Sequence, residues 1–298
     1  MKNFIIAVVV IVILAVGGYF LIKSFSNNTV VTTNTPSNQN AVATTTIEQK
    51  TGESVIGKSV EGRNIMAYRY GTGSTELLFV GGIHGGYEWN TALVAYELTN
   101  YLKENPSVIP NNIKVTVIPV LNPDGLYKVV GTSTGNFSQS NVSPSQATVI
   151  AGRFNANNVD LNRNFDCDWQ TSAKWQSKTV SGGSSAFSEP ESLSIKNYIE
   201  TNKPKAVVVW YSSASGVFAS NCHNGVSAET NTLTKTYADA SGYSAYQSFD
   251  FYAITGDMVN WLAKNNIPAI SVLLTNHTDT EWTKNKKGVE AVLKYYSQ

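Results

Sequence analysis

The segment GGIHGGYEWN, residues 81–90, brings a histidine and a glutamate to the place where a predicted strand gives way to a helix. Two glycine pairs bend the chain around His84, and the helix is predicted to begin near Tyr87 or Glu88. Both side chains then lie at the carboxyl end of a strand, where open α/β sheets bind their ligands. Flexible glycines let an imidazole and a carboxylate meet one metal ion. The alternative is structural: a strand-end histidine and a first-turn carboxylate favoured by the helix dipole.

A second segment with the means for chemistry is DLNRNF, residues 160–165. The planar guanidinium of Arg163 can bind a carboxylate through two parallel hydrogen bonds, and Asn162 precedes it. The alternative is a structural ion pair between Arg163 and Asp160 or Asp166. The residues alone leave both interpretations open.

Four apolar, β-branched runs predict the strands that carry these segments. They are ELLFVGG, IKVTVIPVL, KAVVVWYS and PAISVLLT, at residues 76–82, 113–121, 205–212 and 268–275. Continuous runs of this kind indicate strands buried on both faces of a sheet. Amphipathic helices are predicted at residues 90–104, 189–201, 228–241, 257–265 and 284–296. This order predicts a single α/β domain with a mixed, mostly parallel central sheet flanked by helices.

Three shorter segments are assigned structural roles. Residues 54–71 predict a hairpin with the pair EG at its turn. LNPDG, residues 121–125, is predicted to form a turn after a strand. Residues 188–191 predict a helix start that is capped by Ser188, with a proline in the first turn.

Five segments in chain order resemble the zinc carboxypeptidase family of the carboxypeptidase A type. They are GGIHGGYEWN, LNPDG, DLNRNF, AFSEPES at 186–192 and FYAITGDMVNW at 251–261. The resemblance implies a zinc ion bound by His84 and Glu88, although the family spaces this pair as His-x-x-Glu and three residues intervene here. It also implies that Asn162 and Arg163 grip the terminal carboxylate of a substrate, and that Tyr252 covers the substrate as a hydrogen-bond donor. The alternative for Tyr252 is a tyrosine packed at the start of a helix.

Two positions depart from the family pattern. Tyr211 stands where the third zinc ligand, a histidine, is expected. A neutral phenol, with an ordinary pKa near 10, is a poor ligand. Leu273 stands where the general-base glutamate is expected, so the sequence has no catalytic base at that position. A leucine cannot take a proton from water.

Nearby residues offer replacements for both missing groups. His223 and His277 are candidates for a displaced zinc ligand, and the alternative for each is a loop histidine. Asp279 and Glu281 are the carboxylates closest in sequence to Leu273. Their alternative is a polar loop with a helix cap ahead of the last helix.

Composition narrows the classes of partner. The chain of 298 residues carries 22 basic and 21 acidic side chains, a net charge of +1, so no overall field attracts nucleic acid. Only 14% of the residues are charged, against roughly a quarter in ordinary soluble domains, which suits an extracytoplasmic protein. Cys167 and Cys222 are too few for a disulfide scaffold, and the sequence leaves open one bridge or two buried thiols.

The N-terminal region predicts a membrane anchor and a stalk. Residues 4–22 form an uncharged run of 19 residues between Lys2 and Lys23, which is just long enough to span a bilayer. The residues after it do not form a small-residue cleavage site, so an uncleaved anchor over residues 1–23 is expected. Residues 24–50, rich in Ser, Thr and Asn, predict a flexible stalk. The catalytic domain then occupies residues 51–298, outside the cytoplasm.

Two functional hypotheses follow from the resemblance and its departures. The first is a membrane-anchored zinc carboxypeptidase that cleaves the C-terminal bond of a peptide or a peptidoglycan stem peptide with a free carboxylate. The alternative is a catalytically impaired relative that binds peptide C-termini, as Tyr211 and Leu273 suggest. A purely structural surface domain would not explain Asn162, Arg163 and Tyr252.

Overall fold

The computed structural model describes residues 52–298. The strands in this range, β1 to β10, are Gly52–Lys58, Asn64–Tyr70, Thr75–Val80, Ile113–Ile118, Ser172–Trp175, Lys178–Ser181, Ala206–Ser212, Gly216–Ala219, Ser244–Tyr246 and Ala269–Leu274. The α-helices, α1 to α7, are Trp89–Glu104, Pro123–Val130, Gln146–Ala151, Pro190–Asn202, Ala228–Ser241, Met258–Lys264 and Trp282–Tyr296.

Eight of the strands form one sheet in the order β1-β2-β4-β3-β7-β10-β8-β9. The four central strands, β4, β3, β7 and β10, run parallel to one another. Towards the edges, β2 pairs antiparallel with β4, and β8 pairs antiparallel with β10. The predicted α/β fold with a mixed, mostly parallel sheet and flanking helices is confirmed. Strands β5 and β6 form a separate hairpin.

Helices cover both faces of the sheet, which explains the continuous apolar strands. Alternate residues of β3 point to opposite faces, so Phe79 joins one core cluster while Leu78 and Val80 join the other. Helices α1, α5 and α7 contribute to the first cluster, and α4 and α6 contribute to the second. Every residue of β7 is buried, because it lies in the middle of the sheet between the two layers.

Of the three shorter segments, one has the predicted structure and two differ from the prediction. The hairpin over residues 54–71 is present as β1 and β2. The predicted turn at LNPDG is wrong: the proline begins helix α2, because the Asn122 side chain accepts a hydrogen bond from Gly125 N at 2.9 Å and caps it. The predicted cap at Ser188 is also wrong, since the cap position of α4 is Glu189. The Ser188 hydroxyl instead donates to the Glu189 side chain.

A disulfide joins Cys167 to Cys222 across 55 residues of sequence, with a Cα–Cα distance of 6.2 Å. Cys167 follows DLNRNF, and Cys222 follows β8. Of the two possibilities that the sequence left open, the structure has the bridge. Closing a loop of this length stabilises the folded state by about 4 kcal/mol in the chain-entropy description.

The predicted anchor, residues 1–23, and stalk, residues 24–50, lie outside the described residues. Among residues 52–298, none of the helices combines the length and apolar character needed to cross a membrane.

Candidate active site

A cleft of about 1180 Å³ opens at the carboxyl ends of the central strands. His84 follows β3, Tyr211 lies near the end of β7, and Leu273 pairs with Tyr211 in the neighbouring strand β10. The residues predicted to bind metal or substrate all line this cleft: His84, Glu88, Asn162, Arg163 and Tyr252. Parallel strands deliver their ends to one edge of the sheet, so segments far apart in sequence meet here.

A single 3₁₀ turn, Gly85–Glu88, brings His84 and Glu88 together before α1 begins. Gly85 has a φ of +46°, and a Cβ there would lie 2.6 Å from the Gly152 carbonyl oxygen. The turn therefore needs glycine at this position. It also accommodates the third intervening residue, because Glu88 Oε1 lies 2.9 Å from His84 Nδ1.

The His84–Glu88 pair has the character of a metal-binding pair. Both ring nitrogens of His84 are buried and face carboxylates: Glu88 Oε1 lies 2.9 Å from Nδ1, and Asp160 Oδ1 lies 3.5 Å from Nε2, but neither contact is aligned as a hydrogen bond. Buried polar atoms are rarely left unpaired in this way. Glu88 is held by its other oxygen, Oε2, which accepts a hydrogen bond from Ser212 N at 3.1 Å. These two residues fit a zinc ion as two of its ligands.

Tyr211 does not supply an obvious third ligand. Burial, followed by the charges of Asp257 and Glu88, raises the pKa of its phenol well above the usual value. The phenol is therefore protonated, and its hydroxyl donates to Asn162 Oδ1 at 3.2 Å. Within residues 52–298, no three His, Cys, Asp or Glu side chains are arranged around one metal position.

Arg163 lies in the cleft wall, 1% exposed, without an acidic partner in the described chain. Its Nε donates to the Lys174 carbonyl oxygen at 2.8 Å, and its Nη1 donates to a backbone carbonyl as well. Of the carboxylates considered from the sequence, Asp160 pairs with Arg153 and Asp166 pairs with Lys264. The structural ion pair is therefore not formed, and the guanidinium retains donors for a ligand.

Asn162 has a different environment from the one expected. Its Nδ2 donates to Asp257 Oδ2 at 2.8 Å, and its Oδ1 accepts from Met258 N at 3.1 Å and from the Tyr211 hydroxyl. The amide is thus engaged by the protein itself. In this structure Asn162 holds the start of helix α6 and the end of β7 together, beside Arg163.

Tyr252 lies above Arg163, with the guanidinium carbon 6.0 Å from the centre of the tyrosine ring. Its ring packs edge-on against Phe249 at 5.1 Å. Burial raises the pKa of the phenol, and the charges of Arg163 and Arg153 oppose that shift. A protonated phenol at the cleft is a hydrogen-bond donor.

Arg153 is a residue that the sequence analysis missed. It is 2% exposed and lines the cleft, and its Nε donates to Asp160 Oδ2 at 2.9 Å. Burial alone would raise the pKa of Asp160, but the charge of Arg153, the contact with the His84 ring and the charge of Arg163 hold it well below its usual range. The sequence offered one signal: Arg153 and Arg163 are the only basic residues between positions 128 and 174.

The four candidate replacements differ in whether they line the cleft. His223 is exposed and pairs with Asp168 at 2.7 Å, outside the cleft. Asp279 and Glu281 do not line the cleft. Glu281 accepts from Thr275 N and occupies the cap position of helix α7, so the polar-loop alternative describes both acids better. Only His277, among these four, lines the cleft.

Leu273 is 8% exposed and presents an apolar side chain to the cleft. No proton-accepting group stands on β10 at that point. The cleft therefore contains a buried imidazole–carboxylate pair, a buried guanidinium with unused hydrogen-bond donors, and an apolar residue at the expected position of the base.

Comparison with known proteins adds family information. The family described as zinc carboxypeptidase matches residues 43–287. The catalytic chain of carboxypeptidase N from Homo sapiens is 28% identical over 183 residues, which are 57% of this chain and 37% of that protein. This chain therefore spans little more than a third of that relative's length.

Solved structures share the fold at low identity. Carboxypeptidase A from Helicoverpa armigera superposes with a TM-score of 0.62 and 21% identity, over 83% of this chain and 67% of that chain. The murein-tripeptide amidase MpaA from Escherichia coli O157 superposes with a TM-score of 0.57 and 20% identity, over 82% of this chain and 92% of that chain. At these low identities, the superpositions show a shared fold.

Proposed function

This chain belongs to the zinc carboxypeptidase family, and we propose that it is a zinc-dependent hydrolase that removes the C-terminal residue from a peptide or a cell-wall stem peptide. The observation that carries the proposal is the meeting of two features in one cleft. The buried His84–Glu88 pair, whose imidazole makes no aligned hydrogen bond, lies together with Arg163, a buried guanidinium without a salt-bridge partner among the described residues.

Five cleft residues have roles in this proposal. Arg163 binds the terminal carboxylate of the substrate. The guanidinium N–H donors that the protein leaves unused can form charge-assisted hydrogen bonds to that anion. Tyr252 donates a hydrogen bond to the bound substrate. Arg153 stabilises the negative charge that develops on the scissile carbonyl oxygen. His84 and Glu88 would hold a zinc ion, and the chemistry it would supply there is Lewis-acid polarisation of a carbonyl.

A second candidate function is binding without hydrolysis. It is favoured by Tyr211 and Leu273, which line the cleft where a third metal ligand and a base are expected. Exchanging both, Tyr211→His and Leu273→Glu, separates the candidates. A binder would gain hydrolysis from the two changes, whereas an existing enzyme would be damaged by them.

The proposed setting is the outer face of a membrane. Residues 4–22 are the proposed anchor and residues 24–50 the stalk. The Cys167–Cys222 bridge supports an oxidising compartment, since disulfides rarely persist in the cytosol. Peptides and cell-wall stem peptides are both accessible substrates there, and the fold is shared by a murein-tripeptide amidase.

The first test is the zinc content of the full-length chain after equilibration with zinc and removal of the excess. We expect about one tightly held zinc per chain, because a histidine nitrogen and a glutamate oxygen are two of the ligand types that bind zinc in proteins. His84→Ala should remove it, while His223→Ala, at an exposed histidine, should not. Hydrolysis of N-acyl dipeptides should accompany the bound zinc.

Retention of no zinc by the wild-type chain would contradict the hydrolase and leave the binding candidate. Equal zinc loss in His84→Ala and His223→Ala would place the metal elsewhere.

A further inference from the structure

A histidine that the proposed roles do not use stands in the cleft. His277 lies in the loop after β10 and lines the cleft beside the metal-binding pair. Its ring packs against Tyr87, with ring centres 4.8 Å apart, and Tyr87 directly precedes Glu88. It is also four residues beyond Leu273, on the same edge of the sheet.

The loop that carries His277 is tied to helix α1. Asn90, fully buried in the first turn of that helix, donates through Nδ2 to the carbonyl oxygens of Asn276 at 2.8 Å and Asp279 at 2.9 Å. Within the loop, Asn276 Oδ1 accepts from Asp279 N at 2.7 Å and from Thr278 N at 2.8 Å. The position of His277 is therefore fixed from both sides.

These hydrogen bonds also determine which ring nitrogen carries the proton. Because both Nδ2 donors of Asn90 serve backbone carbonyls, its Oδ1 faces Ser212 and can only accept. Ser212 Oγ lies 3.2 Å from that oxygen and 2.9 Å from His277 Nδ1. The single hydroxyl proton goes to Asn90, so Ser212 Oγ must accept from His277. Nδ1 then carries the proton, and Nε2 has a free lone pair.

Resting on the proposed hydrolysis, we infer that His277 Nε2 is the proton acceptor for the attacking water, the role left empty by Leu273. Ser212 and Asn90 act as positioning residues that hold the imidazole in the reactive tautomer. Within residues 52–298, Nε2 of His277 makes no hydrogen bond, so the lone pair is available to a water in the cleft.

The chemistry balances without a further reactant. The water oxygen bonds to the scissile carbonyl carbon, the carbonyl π pair moves to oxygen beside Arg153, and His277 Nε2 takes one water proton. When the carbonyl re-forms, the C–N bond breaks with its electron pair on nitrogen, and His277 returns the proton to that nitrogen. One water is consumed, and the products are a shortened peptide acid and a free amino group.

The surroundings keep the ring unprotonated. Burial lowers the pKa of His277 from its ordinary value of 6.5; Glu88 opposes this shift, while His84 and Arg153 add to it. Tyr87, the ring packed against it, is uncharged at neutral pH. Because the reaction needs neutral His277, the rate of hydrolysis should be at its plateau at neutral pH. It should decrease as the pH drops through this lowered pKa.

The tautomer can be read without any activity. The chain has three histidines, so two-bond ¹H–¹⁵N spectra of the full-length protein resolve each ring. We expect the Nδ1–H tautomer at His277 at pH 7 and a shift towards Nε2–H in Ser212→Ala, which loses the acceptor. An Nε2–H tautomer in the wild type would overturn the inference.

Kinetics test the proton transfer itself. His277→Gln should lower kcat/KM for an N-acyl dipeptide by about 100-fold or more and remove the acid limb of the pH profile. Its zinc content should equal that of the wild type. The matched control is His223→Gln, the same exchange at an exposed histidine. It should leave kcat/KM, the pH profile and the zinc content unchanged.

The outcomes separate this inference from the proposed function. A wild-type chain that hydrolyses, with His277→Gln equally active, would overturn the role of His277 and keep the hydrolase. Loss of zinc in His277→Gln would make this residue a ligand and also overturn its role as base. Absence of hydrolysis in the wild type would overturn the proposed function and this inference with it.

Discussion

At the scale of single residues, Arg163 carries the strongest indication of a ligand. Removing a guanidinium from water costs several kcal/mol unless charge and hydrogen bonds compensate. Arg163 is 1% exposed, and its hydrogen bonds go to backbone carbonyl groups rather than to a carboxylate of residues 52–298. Carbonyl dipoles satisfy these donors, and Asp160 and Asp257 act on the guanidinium charge without a direct ion pair that would neutralise it. A carboxylate entering the cleft would do so, and a peptide C-terminus provides one.

Replacing Arg163 by Met should therefore weaken recognition of peptide acids. We expect KM, or the dissociation constant for the binding candidate, to rise about 10- to 100-fold, since hydrogen bonds to charged groups contribute about 1.5–3 kcal/mol. Titration calorimetry with an N-acyl dipeptide acid and its C-terminal amide measures this. The matched control is Arg69→Met on strand β2, outside the cleft. An equal loss for acid and amide would contradict the role.

At the scale of elements, the turn Gly85–Glu88 brings His84, which follows β3, into contact with Glu88. It packs so closely on helix α2 that a Cβ on Gly85 would lie 2.8 Å from the Gly125 carbonyl carbon, in addition to its contact with Gly152. The backbone at Gly85 is also left-handed, with a φ of +46°. Both features require glycine, and together they let Glu88 reach back to His84.

Gly85→Ala should lower the free energy of unfolding by about 2–5 kcal/mol and reduce zinc retention. Roughly 1–2 kcal/mol comes from the left-handed backbone and about 1–3 kcal/mol from crowding. Denaturant unfolding measures the change. Gly131→Ala is the matched control, because Gly131 has a φ of +77° but nothing within 4 Å of a new Cβ. The Gly131→Ala protein should lose only the backbone contribution to the free energy of unfolding and should keep its zinc. An equal decrease in the free energy of unfolding for both variants would show that crowding at Gly85 is unimportant.

At the scale of the whole molecule, the Cys167–Cys222 disulfide links two segments that border the cleft. Cys167 follows the turn that carries Arg163, and Cys222 follows β8 near the far edge of the sheet. Both sulfurs belong to buried residues of the second core cluster. In the unfolded chain, the bridge limits how far the segments around Cys167 and Cys222 can separate.

Replacing both cysteines by Ala should lower the free energy of unfolding by about 4 kcal/mol, the value for a loop of this length. The effect acts on the unfolded ensemble, so zinc content and recognition of peptide acids by the folded protein should be unchanged. The comparison is the wild-type chain unfolded with and without reductant. A double variant as stable as the oxidised wild type would show that the bridge does not constrain the unfolded chain.

Much of the fold followed from local pattern. Buried β-branched runs are readable from sequence because a strand covered on both faces has little room for polar residues. The strands β3, β7 and β10 were found this way, and their parallel order implied that their carboxyl ends meet. That geometry explains why His84, Glu88, Arg163 and Tyr252 could be expected in one cleft. Their proposed roles in binding metal and substrate stay predictions.

The sequence by itself determined the four central strands and five of the helices, the edge of the sheet where the cleft opens, and the two positions, Tyr211 and Leu273, that depart from the family. Only the tertiary structure decided that Arg153 lines the cleft, that Asn162 is engaged internally, and that His277 is held there by Asn90. Local patterns record burial and turn preference within a few residues. Hydrogen bonds between segments far apart in the sequence depend on the folded arrangement of the sheet, which no short pattern specifies.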